Sequence, residues 1–382
     1  MAPYLRKFGC YTVPDFIGTR YGGNAVRAAS VFVLFIASFT YVTAQINATG
    51  TIASRALGIP FEAGVWVGLI SILICSMLGG MRAVTWTQVA QYIVLIIAYL
   101  IPVFWISSNV GGGIFPHLML GDEVARLGEL EQQFGLVKNS AADMKAAGVP
   151  GGLKYISGTH SGVPEGGMAV WKYLSLAICM MVGTASLPHI LMRYFTTPTV
   201  RAARKSVAWS LFFIFLLYSS APMLATLSKL ALMDPNLPTG IIGKSISEVQ
   251  SIEWVQRWSE VKQVFIADFN GDGILQLNEW FMRGDVVVLA TPEVAGLPFV
   301  ISGLVFAGGM AAAMSTADGL VLAISNALSH DIYYKIINPK AETAKRLLVA
   351  RTLLVIIGAA GAYIASFRLT SILGSVAWAF DF

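Results

Sequence analysis

Seven stretches of this chain carry no Asp, Glu, Lys or Arg: residues 28–54, 63–81, 83–121, 173–192, 206–228, 294–317 and 352–367. Each is long enough, or nearly so, for the roughly 20 residues with which a helix crosses a bilayer. Only 12% of the 382 side chains are charged and 56% are hydrophobic, too little charge to cover the surface of a soluble protein of this size. A soluble enzyme, a nucleic-acid binder and a disordered chain are therefore excluded, and the pattern is that of an all-α polytopic membrane protein. The apolar windows predict spans at 28–50, 62–81, 86–108, 169–192, 204–230, 296–328 and 346–367, with a partial eighth from Leu369. Two loops of about 60 residues, 109–168 and 233–295, interrupt them within one membrane domain over 1–382.

Charge then sorts by side. Residues 1–27, the Arg82 turn, 193–205 and 330–351 hold 14 Lys/Arg against Asp15, Asp331 and Glu342, whereas the alternate loops hold 12 against 16 acids. Basic loops stay cytoplasmic, so the Met1 loop is expected inside a plasma or inner membrane and the two long loops outside. Cys10, Cys75 and Cys179 fall in one loop and two separate spans and suggest no disulfide framework. No nucleophile–His–acid set, phosphate-binding glycine loop or cysteine metal cluster is present, so the chain is not expected to be an enzyme. Glycine and alanine runs at Gly79–Gly80, Gly308–Gly309 and Ala311–Ala313 let helices approach closely.

The segment AAAMSTADGLVLAISNALSHD, residues 311–331, carries the chemistry. Ser315, Thr316 and Asp318 lie inside a span, where an ionisable side chain is costly and faces a cavity, an ion or a partner. Two hydroxyls near a carboxylate suit Na⁺ or a proton relay rather than a soft metal. The alternative is hydroxyls bonded back to the preceding turn with Asp318 paired to a buried donor. In the fourth span, Gly183, Thr184 and Ser186 precede Pro188, which lacks an N–H and clashes with the preceding turn. The helix either opens there, freeing N–H groups for a carboxylate, or merely kinks. His189 reads as a packed histidine. Tyr41 and Gln45 of the first span, with Gly183 and Thr184, are the candidate substrate residues.

Three separated motifs carry a resemblance. AAAMSTADGL with SNALSHDIYYK resembles the eighth core span of the sodium/solute symporter family, and GGMRAVTWTQVAQ (79–91) resembles that family's motif between core spans four and five. SLPHILMRYFTT (186–197) and SNALSHDIYY are most similar to the branch of cation/acetate symporters. The resemblance implies the leucine-transporter fold of inverted repeats with discontinuous helices. On that plan the chain holds core spans three to nine and the start of ten, so it reads as the middle of a longer transporter. The resemblance also implies Ser315 and Thr316 as side-chain Na⁺ ligands with the Ala312 carbonyl, the partners from core span one being absent. As it stands, such a chain is not expected to transport. Gln88 replaces an Asp that many members carry after Trp-Thr, which implies a second cation or proton site of Ser315, Asp318 and Gln88. The implied function is Na⁺-coupled symport of a small organic anion, acetate being favoured, with lipid as surroundings and no nucleic acid. The alternatives are proton coupling or another solute, or a calcium-dependent receptor or structural subunit that transports nothing.

The last motif stands apart. Residues 268–279, DFNGDGILQLNE, match the twelve-residue calcium loop. Asp268, Asn270, Asp272, Gln276 and Glu279 supply side-chain oxygens, Ile274 a carbonyl and Gly273 the sharp turn. Helical spacing over 252–267 predicts the entering helix. An external loop of this kind suits a structural Ca²⁺.

Overall fold

The computed structural model describes residues 2–110, 113, 115–134, 141–149, 154–155, 167–368 and 372–380. Two short helices open the chain, α1 (Ala2–Phe8) and α2 (Val13–Tyr21), where the sequence suggested only a basic loop. Thr12 caps α2 by accepting the Asp15 N–H at 3.1 Å. The long helix α3 (Asn24–Leu57) follows, and its 34 residues rise about 50 Å, more than a bilayer core is thick.

The expected spans at 62–81 and 86–108 are two helices that join at Gly80, numbered together as α4 (Phe61–Asn109). Gly80 has φ 56° and ψ −160°, a conformation closed to side-chain-bearing residues, so this glycine makes the kink rather than a packing contact. Gly308 does pack as expected: a Cβ there would lie 2.5 Å from the Ala98 Cβ.

The first long loop folds into α5 (Pro116–Phe134), α6 (Ala141–Ala146) and β1 (Lys154–Tyr155). Then come α7 (Gly167–Ser186), α8 (Pro188–Thr196) and α9 (Val200–Met233). Leu187, with φ −55° and ψ 120°, breaks α7 from α8. Pro188 has no N–H to continue the ladder and takes the first helical position of α8 instead. Buried Lys229 and Glu131 pair between α9 and α5, and Arg126 pairs with Asp234.

The second long loop holds α10 (Ile246–Ser251), α11 (Glu253–Glu260), β2 (Val264–Ile266), β3 (Trp280–Met282) and, after a short 3₁₀ turn, α12 (Val287–Val294). The strands form one antiparallel sheet in the order β1-β3-β2, so the two long loops meet in it. The spans are all α-helical, as expected, and the long loops add this one small sheet: β-branched and aromatic triplets on either side of the calcium-type loop pair as a hairpin.

Helix α13 (Phe299–Asn326) runs into an eleven-residue π-helix (Ala327–Ile337), followed by α14 (Thr343–Ser366) and α15 (Ile372–Phe380). The last stretch expected from Leu369 includes residues 369–371 and Asp381, which lie outside the described residues. Six helical stretches among the described residues are long and apolar enough to cross a membrane, with Phe61–Met77 a shorter apolar helix.

Two cores hold the bundle. One joins α3, α4, α13 and α14 through Val42, Ile46, Val65, Ile72, Leu320 and Ile357. The other packs the ends of α4 and α9 against α5 and the second loop through Ile106, Leu127, Leu230, Trp258 and Trp280.

Candidate functional site

Asp318 sits on α13 with no exposed surface. The Ser76 hydroxyl, from the first half of α4, donates to Asp318 Oδ1 at 3.0 Å. Asp318 Oδ2 has no hydrogen-bond partner. A carboxylate half-satisfied in the middle of an apolar helix is an unfilled acceptor, and a cation or a proton completes it. Ser76 was not singled out in the sequence, because a lone serine in a charge-free window carries no signal until its partner 242 positions away is known.

Ser315 and Thr316 lie one turn earlier on α13, both half-buried. The Thr316 hydroxyl donates to the Ala312 carbonyl at 3.3 Å, so these two expected Na⁺ ligands are bonded to each other within the helix. The Ser315 carbonyl accepts the Gln88 side-chain N–H at 2.6 Å. Gln88 is therefore brought to Ser315, as expected, while Asp318 turns to Ser76. Gln88 Oε1 is buried without a partner and remains an open acceptor.

Gly319, the next residue, makes room on the other side. A Cβ there would lie 3.2 Å from Arg193 Nη2, 3.5 Å from the His189 Cβ and 3.6 Å from Gln88 Nε2. Helix α8, just after the break at Leu187, thus lays His189 and Arg193 against the centre of α13. His189 is buried, as its packed reading required, yet its Nδ1 is unpartnered.

The four candidate substrate residues divide. The Tyr41 ring lies 6.2 Å from His189 and 5.6 Å from Phe380, both edge-on, so it faces the helix break. Gln45 is half-buried one turn further along α3. Gly183 is buried where a Cβ would lie 2.6 Å from the Phe380 Cβ, so it admits α15 rather than a ligand. Thr184 is exposed and donates back to the Met180 carbonyl at 2.6 Å. A cavity of about 490 Å³ lies beside the break, bordered by α2, α3, Ser186, Pro188 and Phe380.

The calcium-type loop is well ordered by its own amides. Asp268 accepts the N–H groups of Gly271 at 2.7 Å and Gly273 at 3.1 Å, and Gly273 holds the φ of +70° that the sharp turn requires. Asp272 accepts from the Ile274 N–H at 2.7 Å and from the Asn270 and Gln276 amides. The Ile274 N–H holds the Asp272 carboxyl below the usual carboxylate range. Glu279, almost fully buried, accepts from the N–H groups of Phe269 and Gln276, both at 2.9 Å. The donor set is all oxygen and the loop holds no basic residue, which fits a hard cation. The expected entering helix is corrected: α11 ends at Glu260, Lys262 takes a positive φ of 57°, and strand β2 leads into the loop.

Asp15, His330 and Asp331 bring one ligand atom each within 4.8 Å of one another near the start of the chain. Arg27 pairs with both carboxylates, at 3.1 and 3.7 Å, and Thr12 donates to Asp331 at 2.6 Å. A guanidinium in that position makes this an ion-pair network tying α2 and α3 to the π-helix.

The chain is similar to known transporters throughout. It is 38% identical, over its whole length, to an uncharacterised symporter of Cupriavidus necator, of which it covers 67%. Over 94% of its length it is 26% identical to a monocarboxylic acid transporter of Corynebacterium glutamicum, of which it covers 56%. The structure matches the substrate-bound, outward-open state of a Na⁺-coupled sialic acid symporter with a TM-score of 0.64, covering 96% of this chain and 64% of that one. At 14% identity this likeness shows the fold alone, that of the leucine-transporter type. The chain thus spans between about half and two thirds of these relatives. The sodium:solute symporter family matches residues 1–246 and 286–381, leaving out the segment with most of α10, α11, the hairpin and the calcium-type loop. By that match the chain belongs to the sodium:solute symporter family of membrane transporters.

Proposed function

We propose that the protein couples inward movement of Na⁺ to uptake of a small organic anion, a monocarboxylate such as acetate. The observation that carries this reading is Asp318: a fully buried acid in the middle of α13, with one oxygen on Ser76 and the other unbonded. Ser315, Thr316 and the Ala312 carbonyl supply hard oxygen ligands for one Na⁺. Asp318 and Gln88, with Ser315 and Ser76, offer the open acceptors for a second cation. The solute binds beside the break between α7 and α8, near Tyr41 and Gln45. The broken helix supports this placement, since a helix start offers unpaired N–H groups to a carboxylate. The description of the Corynebacterium relative supports a monocarboxylate. Residues 1–27 face the cytoplasm and the hairpin loop the outside of the plasma membrane, in keeping with the charge of each side.

Radiolabelled acetate uptake into proteoliposomes, with the protein expressed from its native reading frame, tests the reading. An inward Na⁺ gradient at equal pH should drive uptake, and Asp318→Asn should abolish the Na⁺ dependence. Uptake that follows a pH gradient alone replaces Na⁺ by a proton at Asp318. Uptake that needs neither gradient overturns the coupled mechanism.

The loop 268–279 favours an additional role, binding of a structural Ca²⁺ that clamps the external hairpin. Millimolar Ca²⁺ should raise the unfolding temperature of the solubilised protein in proportion to the logarithm of its concentration. Glu279→Gln should remove most of that shift, and an equal shift in the variant would end the assignment.

A further inference from the structure

The polar end of α14 borders a second cavity, remote in character from the centre of the bundle. It holds about 270 Å³ between Tyr11, Asn326, His330, Thr343, Arg346 and Leu347. Arg346 is half-buried, and among the described residues no carboxylate pairs with it. Its guanidinium is held instead 4.1 Å from the centre of the Tyr334 ring, which fixes its position without neutralising it. The neighbouring His330 makes no hydrogen bond through Nε2, which lies 3.9 Å from an Asp15 carboxylate oxygen, and its ring lies 4.8 Å from that of Tyr11. Thr343 adds a hydroxyl at the first turn of α14, whose preceding residue, Glu342, makes no side-chain cap.

The surroundings are basic on balance. Residues 330–351 hold Lys335, Lys340, Lys345, Arg346 and Arg351 against Asp331 and Glu342. Arg27 lies against both Asp331 and Asp15 and offsets one of their two charges, and neither acid pairs with Arg346, so the five cations of this stretch still outweigh the acids around them. Further along the same helix the edge of the cavity is an apolar wall: Leu347 and Ala350 line it, and exposed Leu347 and Leu348 begin the hydrophobic run of α14. Charge therefore gives way to hydrocarbon across a few ångströms, at the end of a membrane-spanning helix.

We propose that this cavity is a headgroup site for an anionic phospholipid, with the phosphate on Arg346 and the Thr343 hydroxyl and the acyl chains along Leu347 and Leu348. A free anion would make no use of the apolar wall, and a zwitterionic lipid would bring its own cation against Arg346.

Native mass spectrometry of the detergent-solubilised protein tests the site, titrated with phosphatidylglycerol or with phosphatidylcholine of the same chains. The intact protein should retain one phosphatidylglycerol in preference to phosphatidylcholine. Arg346→Gln should cut that preference at least about tenfold, the size of one charge-assisted hydrogen bond. Thr343→Val, one turn before Arg346 on the same face of α14, should weaken it too, and Arg346→Lys should keep most of it. Lys345→Gln, an exposed neighbour of equal charge, should leave it intact. Retention unchanged in Arg346→Gln overturns the proposal, as does an equal loss in Lys345→Gln, which would mean diffuse surface charge. Displacement of the lipid by millimolar inorganic phosphate would make the cavity a free-anion site and also overturn it.

Discussion

Replacing Ser76 with alanine removes one hydroxyl beside Asp318 and almost nothing else, since the position is 2% exposed and a methyl group fills the same space. That hydroxyl donates to Asp318 Oδ1 at 3.0 Å. A hydrogen bond to a charged acceptor contributes about 1.5–3 kcal/mol, and each 1.4 kcal/mol is a factor of ten. The ionised carboxylate, the form that holds a cation, should therefore become at least about tenfold less favoured in Ser76→Ala. If Asp318 binds the coupling ion, the Na⁺ concentration giving half of the maximal thermal stabilisation of the purified protein should rise by a similar factor. The deficit should grow at lower pH, where protons compete for the same oxygen. Ser76→Thr, which keeps the hydroxyl, should restore much of the affinity. The assay needs no knowledge of the solute. A half-saturation within about twofold of the unaltered protein at both pH 7 and pH 6 would refute the reasoning, because the loss of a charged hydrogen bond has no smaller effect.

Other perturbations follow from particular contacts. Glu293 accepts from Arg55 at 2.8 Å and from the Trp258 indole N–H at 2.7 Å, so it latches α11 to α3. Glu293→Ala strands a mostly buried guanidinium, should cost about 3 kcal/mol, and should expose 247–285 to limited proteolysis. A Cβ on Gly68 would lie 2.4 Å from Thr49 Oγ1, so Gly68→Ala should destabilise the α3–α4 contact by about 1–3 kcal/mol. Gly303→Ala, with nothing within 4 Å of the added Cβ and a better helix former in place inside α13, should raise the unfolding temperature slightly. At the hairpin loop, the Ile274 N–H lowers the Asp272 carboxyl below its ordinary value of 3.8. A group lowered on folding contributes above its unfolded value and loses that contribution as pH falls through the folded one. Stabilisation by Ca²⁺ should therefore be equal at pH 7 and pH 6, and Asp272 should withdraw its part only below about pH 4, as a thermal-shift series would read.

Much of the bundle was legible because lipid leaves a chain few choices. A charge-free run of this length has to be a helix, and α3, α9, α13 and α14 follow from it directly. The break before Pro188 was legible as well, since proline alone removes the donor; only opening against kinking stayed undecided, and Leu187 leaves the helical region altogether. What failed was local spacing where a single residue overrides it. Apolar periodicity over 252–267 reads as one helix, but Lys262 adopts a left-handed conformation and the chain continues as β2. The triplets Val264–Ile266 and Trp280–Met282 carry the strand signal, though only when each is read as the other's partner. The site shows the same limit. Ser315, Thr316 and Asp318 stand together in sequence and announce themselves and Gln88 stands out through the family resemblance, whereas Ser76 and Arg193 acquire meaning only when helices from distant parts of the chain are brought to α13. Thr184 shows the reverse case, a polar residue inside an apolar run that merely bonds to its own helix.

The hairpin segment has a bearing on how such proteins diversify. Its base is closed by pairing between Lys244 and Leu275 and between Ile246 and Gly273, while its tryptophans pack into the core shared with α4, α5 and α9. The family match stops at residue 246 and resumes at 286, while the spans on either side keep their family order. A loop whose two ends meet at its base can vary in length and sequence without shifting the register of any membrane helix. That loop can therefore change from one relative to the next while the helices packed around Asp318 keep their contacts.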